Sequence, residues 1–333
     1  MNYALIGFGG LGKVHFKNMQ GLVEAYPDVK LVAICDIRES TFTQNVATNL
    51  GDDNSSLDLS AFNLYTDYKE MLEKEDLDFV VAAVPTYLHD VVANDVMNKG
   101  IHMFSEKPMA LTMERAQSMV DTANKNNVKL MIGQCVRFFP HYKALKEIID
   151  SGKYGKVIRA NFARLSPTPI WGWENWYLDE AKSGGAALDL HVHDVDFVNY
   201  AFGKPNAVTS FSAKRLCEFD SILTHYAYDD KMVVVNGDWA YQNKYPFTPS
   251  FTVCFENGTV EMKNGKFMAY TDEEAVELEA PGIDGYLAEM IEFVSCIKED
   301  KISKINPPTD TLVTLEIALA EKESAKTGKT VTL

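Results

Sequence analysis

The sequence predicts a two-domain α/β chain. A doubly wound parallel-sheet domain fills residues 1–134, and residues 135–333 form an α+β domain on a large open, mostly antiparallel sheet. Three observations predict this. From Asn2 to about Gln134, short runs of Val, Ile and Leu alternate with longer amphipathic segments, the pattern of parallel strands joined by crossover helices. After Gly152 the strands are separated by short turns such as Asp229-Asp230 and Asn257-Gly258, which is hairpin chemistry. A length of 333 residues is about twice the common domain size.

Each element follows from its local pattern. Strands are expected at 3–7, 30–36, 64–66, 78–84, 101–105 and 128–132, because these runs are apolar, short and bounded by turn residues. Helices near 11–24, 38–50, 67–74, 87–99 and 112–126 place apolar residues at helical period. The stretch 51–63 is dense in Asp, Asn and Ser and reads as a surface loop. A helix over 140–151 stops at Ser151-Gly152, and strands follow at 156–165, 207–214, 222–229, 231–241, 250–256 and 259–263. Helices at 185–201, 284–298 and 308–324 accompany this sheet, the last expected to pack back on the first domain.

Composition excludes several function classes. The net charge of −15 shows no basic run, so neither nucleic acid nor an anionic membrane is an expected partner. Five cysteines, at 35, 135, 217, 254 and 296, have no CxxC spacing and suggest neither a disulfide framework nor a thiolate zinc site. The first strand meets glycines at once, without the profile of a secretory leader, and no run approaches the roughly 18 apolar residues of a membrane helix. A soluble cytoplasmic protein is therefore expected. A large open sheet needs its second face covered, which points to a homodimer or homotetramer through the C-terminal sheet.

Residues Gly7, Phe8, Gly9, Gly10, Leu11 and Gly12 set G-x-G-x-x-G directly after the first strand and at the opening of a helix. Gly7 permits a tight turn, Gly9 lets backbone approach a pyrophosphate, and Gly12 allows close helix–strand packing, as in the Rossmann dinucleotide fold. The second strand ends in Asp36, 24 residues beyond Gly12, where a carboxylate accepts bonds from a ribose hydroxyl and favours NAD. Arg38 leaves NADP open, since a guanidinium there pairs with a 2′-phosphate.

In such sheets the ligand crevice lies at the carboxyl ends of the strands. There the chain places Pro85 and Thr86 with His89, and Glu106 and Lys107 before Pro108, all expected near the cofactor. A proline after Lys107 restricts that residue to extended backbone. Farther on, Gly184-Gly185 precedes a helix carrying Asp189 and His193 at i and i+4, hence on one face. The pair suits proton exchange at neutral pH. His191 and His193 lie about 200° apart on a helix and cannot share an ion, so no metal is expected. Trp171, Trp173 and Trp176 cluster ahead of this helix, either as flat faces for a sugar ring or as packing.

Taken together these residues resemble the Gfo/Idh/MocA oxidoreductases. The resemblance spans nearly the whole chain and rests on the glycine turn with His15, on Pro85-Thr86 and His89, on Glu106-Lys107-Pro108, on Arg137-Phe138 with Pro140, and on Gly-Gly before Asp189 and His193. It implies a catalytic trio of Lys107, Asp189 and His193. His193 would take an alcohol proton, Lys107 would steady the alkoxide, and Asp189 would hold a neighbouring hydroxyl. It also implies a nicotinamide cofactor and a secondary alcohol of a sugar, cyclitol or polyol as substrate. Besides the trio, Arg137, Arg164, Trp171 and Trp173 are expected to meet the substrate. Relatives that retain NAD and cleave glycosidic bonds, or that bind a dinucleotide without turnover, are the alternatives.

Overall fold

Strands buried on both faces must be largely apolar, and the central strands of the first sheet are, while its edge strand Asn63–Tyr65 is mostly exposed. β1 (Asn2–Ile6), β2 (Lys30–Cys35), β3 (Asn63–Tyr65), β4 (Phe79–Ala82), β5 (His102–Glu106) and β6 (Leu130–Gly133) form one parallel sheet in the order β3-β2-β1-β4-β5-β6. The order reverses between β1 and β4, which opens a crevice at their carboxyl ends. The computed structural model describes residues 1–44 and 57–333.

The helix expected over 11–24 is two helices, α1 (Gly10–Lys17) and α2 (Met19–Ala25), which meet at Asn18. Gly21 on α2 leaves room for Leu287, whose side chain would lie 2.5 Å from any Cβ built there. Of the helix expected over 38–50, the described part holds a 3-10 turn, Glu39–Phe42; residues 45–50, and 51–56 of the loop expected at 51–63, lie outside the described residues. α3 (Tyr68–Lys74) starts on an Asp67 cap whose side chain accepts from the Lys69 amide at 2.8 Å. α4 (His89–Met97) follows a 3-10 turn, Thr86–Leu88. α5 (Met113–Asn126) is capped by Thr112 and ends on left-handed Asn127.

The second sheet is nine-stranded and mostly antiparallel. After α6 (Pro140–Ser151), ended by left-handed Gly152, come β7 (Val157–Pro167), the short α7 (Glu180–Ser183) and α8 (Val192–Phe202). Then follow β8 (Ala207–Ala213), β9 (Ser221–Ala227), β10 (Met232–Tyr241), β11 (Thr248–Phe255), β12 (Gly258–Lys263), β13 (Lys266–Tyr270) and β14 (Ala275–Glu277). Only β7 and β10 pair in parallel. Alternate residues of β7, β9 and β10 are buried, the signature of a sheet covered on one face.

α9 (Gly285–Lys298), α10 (Pro308–Thr327) and β15 (Val331–Thr332) complete the chain. Two compact units result: Met1–Gln134 with Tyr286–Leu312, and Cys135–Gly285 with Val313–Leu333. The stretch Tyr286–Leu312, placed in the second domain by sequence, thus groups with the first. Its physical reason is the core it enters, where Met290, Phe293 and Val294 pack with Tyr3, Leu5, Phe79 and Phe104. β13, β14 and β15 were not expected. The β12–β13 hairpin turns on Asn264 and Gly265, both at positive φ, the backbone that Asn-Gly supplies.

Candidate functional site

The glycine turn has the backbone that its sequence requires. Gly7 sits at φ 88°, and a Cβ there would lie 2.4 Å from the Ala83 carbonyl oxygen. A Cβ on Gly12 would lie 2.0 Å from the Gly7 oxygen, whereas one on Gly9 would meet nothing within 4 Å. Gly9 is also the N-cap of α1, with no side chain closing that helix end. Open space over uncapped amides, at the positive end of a helix, fits a dinucleotide pyrophosphate. Gly10 and Leu11 open the helix and are part-exposed, while the Phe8 side chain is fully buried, so Phe8 offers only backbone.

Asp36 braces this turn. Its carboxylate accepts from the Phe8 amide at 2.8 Å and from the Arg38 amide at 2.9 Å, and the Arg38 guanidinium stands 3.6 Å away. Lys13 lies over the Phe8 ring at 5.4 Å; partial burial lowers its pKa, and Asp36 opposes that shift.

At the next strand ends, Pro85 leads into the 3-10 turn and Thr86 is buried. His89 is closed off: Nδ1 lies 2.7 Å from the Pro108 oxygen and Nε2 lies 2.9 Å from the Val84 oxygen. Burial pushes its pKa below the ordinary histidine value. Where a cofactor contact was expected, His89 has both ring nitrogens against backbone carbonyls of two loops, and the neutral ring donates to one of them. Glu106 is committed as well. It meets His15 Nε2 at 2.7 Å and accepts from the Lys107 amide at 3.2 Å. With Glu289 these residues make the one group among the described residues spaced to hold a metal ion, donor atoms within 4.8 Å of one another. Within this group the His15 imidazole is hydrogen-bonded to the Glu106 carboxylate. Lys107 is the only residue of the stretch 103–110 that is not buried.

In the second unit, Gly184 and Gly185 take φ of 79° and 71° to enter a π-turn, Ala187–His191, ahead of α8. A Cβ on Gly185 would lie 2.5 Å from the Glu218 oxygen. The plain α-helix expected at 185–201 is thus widened by one π-turn, a feature common at functional sites. Throughout 183–198 only Asp189 and His193 are part-exposed. His193 Nδ1 touches the Cys135 thiol at 4.0 Å. His191 is fully buried, 3.1 Å from Glu321, and Gly237 on β10 makes room for it: a Cβ there would lie 2.5 Å from the His191 Cβ.

Arg137 and Arg164, expected at the substrate, are instead buried in ion pairs. Arg137 grips both oxygens of Asp196 at 2.7 Å, and Asp196 also accepts from Thr314 at 2.9 Å. Arg164 holds Asp194 at 2.9 and 3.0 Å and Tyr142 at 3.1 Å. Burial opposes the Arg164 charge, but the Asp194 carboxylate outweighs it and raises its pKa further. Both guanidinium groups are buried in these pairs. Trp171 and Trp173 are part-exposed on a loop where Glu174 and Asn175 both adopt positive φ, and Trp176 stacks on Tyr177 at 4.0 Å. Sequence reasoning missed Cys135, Glu289 and Glu321. The signal for the two glutamates was an acidic residue on an otherwise apolar helical face, beside Met290 and Phe293 in α9 and beside Ile317 and Ala318 in α10.

The parallel sheet and its glycine turn together define a dinucleotide-binding oxidoreductase. Residues 1–134 match the model of the oxidoreductase family with an NAD-binding Rossmann fold, and residues 142–261 match the GFO/IDH/MocA C-terminal domain. The chain belongs to the GFO/IDH/MocA family, and its cofactor is NAD. It is 26% identical over 356 residues to scyllo-inositol 2-dehydrogenase (NAD(+)) of Bacillus subtilis (strain 168), covering 99% of this chain and 95% of that one. It is 29% identical to 2,7-anhydro-N-acetylneuraminate hydratase of Mediterraneibacter gnavus, over 63% of this chain and 51% of the relative. Levoglucosan dehydrogenase, solved with NADH and levoglucosan, shares the fold at a TM-score of 0.83 and 18% identity, covering 100% of this chain and 99% of that one. Among the described residues no helix is long and apolar enough to cross a membrane.

Proposed function

We propose that the protein is a dehydrogenase that oxidises a secondary alcohol of a sugar, cyclitol or related polyol, or reduces the matching ketone. The observation that carries this reading is selective exposure. In 183–198 only Asp189 and His193 open to solvent, and in 103–110 only Lys107 does. Those are the residues whose chemistry the reaction needs. The bound cofactor supplies a nicotinamide that accepts or returns hydride. His193 takes the alcohol proton, Lys107 as an ammonium steadies the developing alkoxide, and Asp189 accepts from a neighbouring hydroxyl. The polyol class is supported by relatives named for inositol and levoglucosan. Trp171 and Trp173 offer apolar faces to a sugar ring.

A panel of sugars and inositols, each with NAD and NADP, tests the reading through absorbance of reduced nicotinamide. Turnover of a polyol supports it; saturable cofactor binding without turnover on any of them overturns it in favour of a binding protein. A second reading, internal oxidation and reduction around an elimination with retained NAD, is favoured by the relative named as a hydratase. Product formation without net reduced cofactor marks that route.

We further propose a homodimer or homotetramer through the open sheet, where Phe211 and Leu223 are exposed cross-strand partners. Light scattering on the eluting protein reads the mass, and a monomer at micromolar concentration sinks the proposal. The five cysteines are all free, four of them buried, which suits a reducing cytoplasm.

A further inference from the structure

The Cys135 thiol is not exposed, and it faces the ring of the one histidine to which the proposed reaction assigns a proton. We propose that Cys135 is a positioning residue for His193: its sulfur holds Nδ1, so that Nε2 is the nitrogen presented for proton exchange. The proposal rests on the reading of His193 as the base.

Two contacts join the same two segments. Cys135 opens the 3-10 turn Cys135–Phe138, and its sulfur lies 4.0 Å from Nδ1 of His193 on α8. Two residues along that turn, Arg137 makes two 2.7 Å bonds to Asp196, which is three residues beyond His193 on α8. Both members of that pair are fully buried, and the Thr314 hydroxyl donates to the same carboxylate at 2.9 Å. Arg137 also lies over Tyr200 on the same helix, 4.8 Å from the ring centre. The distance between thiol and imidazole is therefore set by a bidentate ion pair and not by a loose loop.

An imidazole must commit one nitrogen as donor for the other to accept. Sulfur is a weak acceptor and a weak donor, so it biases the tautomer without locking the ring as a carboxylate would. With Nδ1–H directed at sulfur, the Nε2 lone pair is free of its proton. When the alcohol O–H bond breaks, that proton joins Nε2, and the imidazolium keeps its Nδ1–H on sulfur. Near this joint Arg164 and Tyr142 bond to Asp194 and Arg137 bonds to Asp196, while the Arg164 charge also faces the Cys135 sulfur. Asp189, four residues before His193, is part-exposed as well.

The test reads the ring itself. Long-range ¹H–¹⁵N spectra of the NAD-bound protein, its seven histidines sorted by the signal lost in His193→Asn, report tautomer and titration of His193. In the wild type Nδ1–H is expected to predominate. In Cys135→Ala that bias should vanish, the acid limb of kcat should move by about half a pH unit, and kcat should fall ~3- to 10-fold with KM nearly unchanged. Cys135→Ser should recover most of both effects. An unchanged tautomer and limb in Cys135→Ala overturn the proposal. Turnover that survives His193→Asn would instead overturn the assignment of the base, and the spectra would still decide the sulfur contact.

Discussion

At the scale of single residues, exposure separates chemistry from architecture. Lys107→Met should leave NADH affinity within about twofold, read by fluorescence titration, and abolish turnover of any substrate found. Full activity would remove Lys107 from the mechanism. Asp196→Asn is the opposite case. Removing one member of a fully buried ion pair leaves an uncompensated charge, so it should lower unfolding free energy by about 3–5 kcal/mol in urea titrations. Strand ends, a following proline and an i,i+4 spacing are the local signals by which the sequence singles out Lys107, Asp189 and His193, and the structure leaves all three part-exposed. Arg137, Arg164 and His89 were misread because a sequence does not show whether a polar side chain is already satisfied. The partners of the two arginines lie 59 and 30 residues away.

At the scale of elements, the π-turn is the feature that sequence periodicity could not announce. Spacing alone gives a continuous helix over 185–201, yet Ala187–His191 is wound wider, and His191 is driven inward against Glu321. Gly237 in the middle of β10 permits this, since a strand glycine lets another element approach. Gly237→Ala should therefore strain the turn, costing about 1–3 kcal/mol of stability, and reduce kcat through Asp189 and His193. An alanine variant with wild-type stability and rate would show that the turn tolerates a shift. The central parallel strands were legible because they are largely apolar runs bounded by turn residues. β14 and β15 were not, at three and two residues.

At the scale of the whole molecule, stability should depend on pH through its closed histidines. Burial depresses the pKa of His89, and His102 and His141 shift the same way for the same cause. The unfolded chain then takes up protons near the ordinary value of 6.5 that the folded chain refuses. Their contribution is complete above that pH and is lost as pH falls below it. Melting temperature should thus drop on acidification from pH 7 to pH 5, and His89→Gln should show a shallower drop; an identical slope would exclude His89 as a contributor. The division into two units was legible at residue 134, whereas the assignment of Tyr286–Leu312 was not, because nothing local marks which core a late amphipathic helix enters.

The carboxylate at position 36 has one more consequence. It ties down the amides of Phe8 and Arg38 from the strand end at which the sequence leads one to expect a ribose contact. A lineage drifting toward the phosphorylated coenzyme could not simply delete that acid, since the same change would unfasten the loop that grips either coenzyme. Any such switch has to bring a substitute fastener, and preference and grip are inherited as one trait.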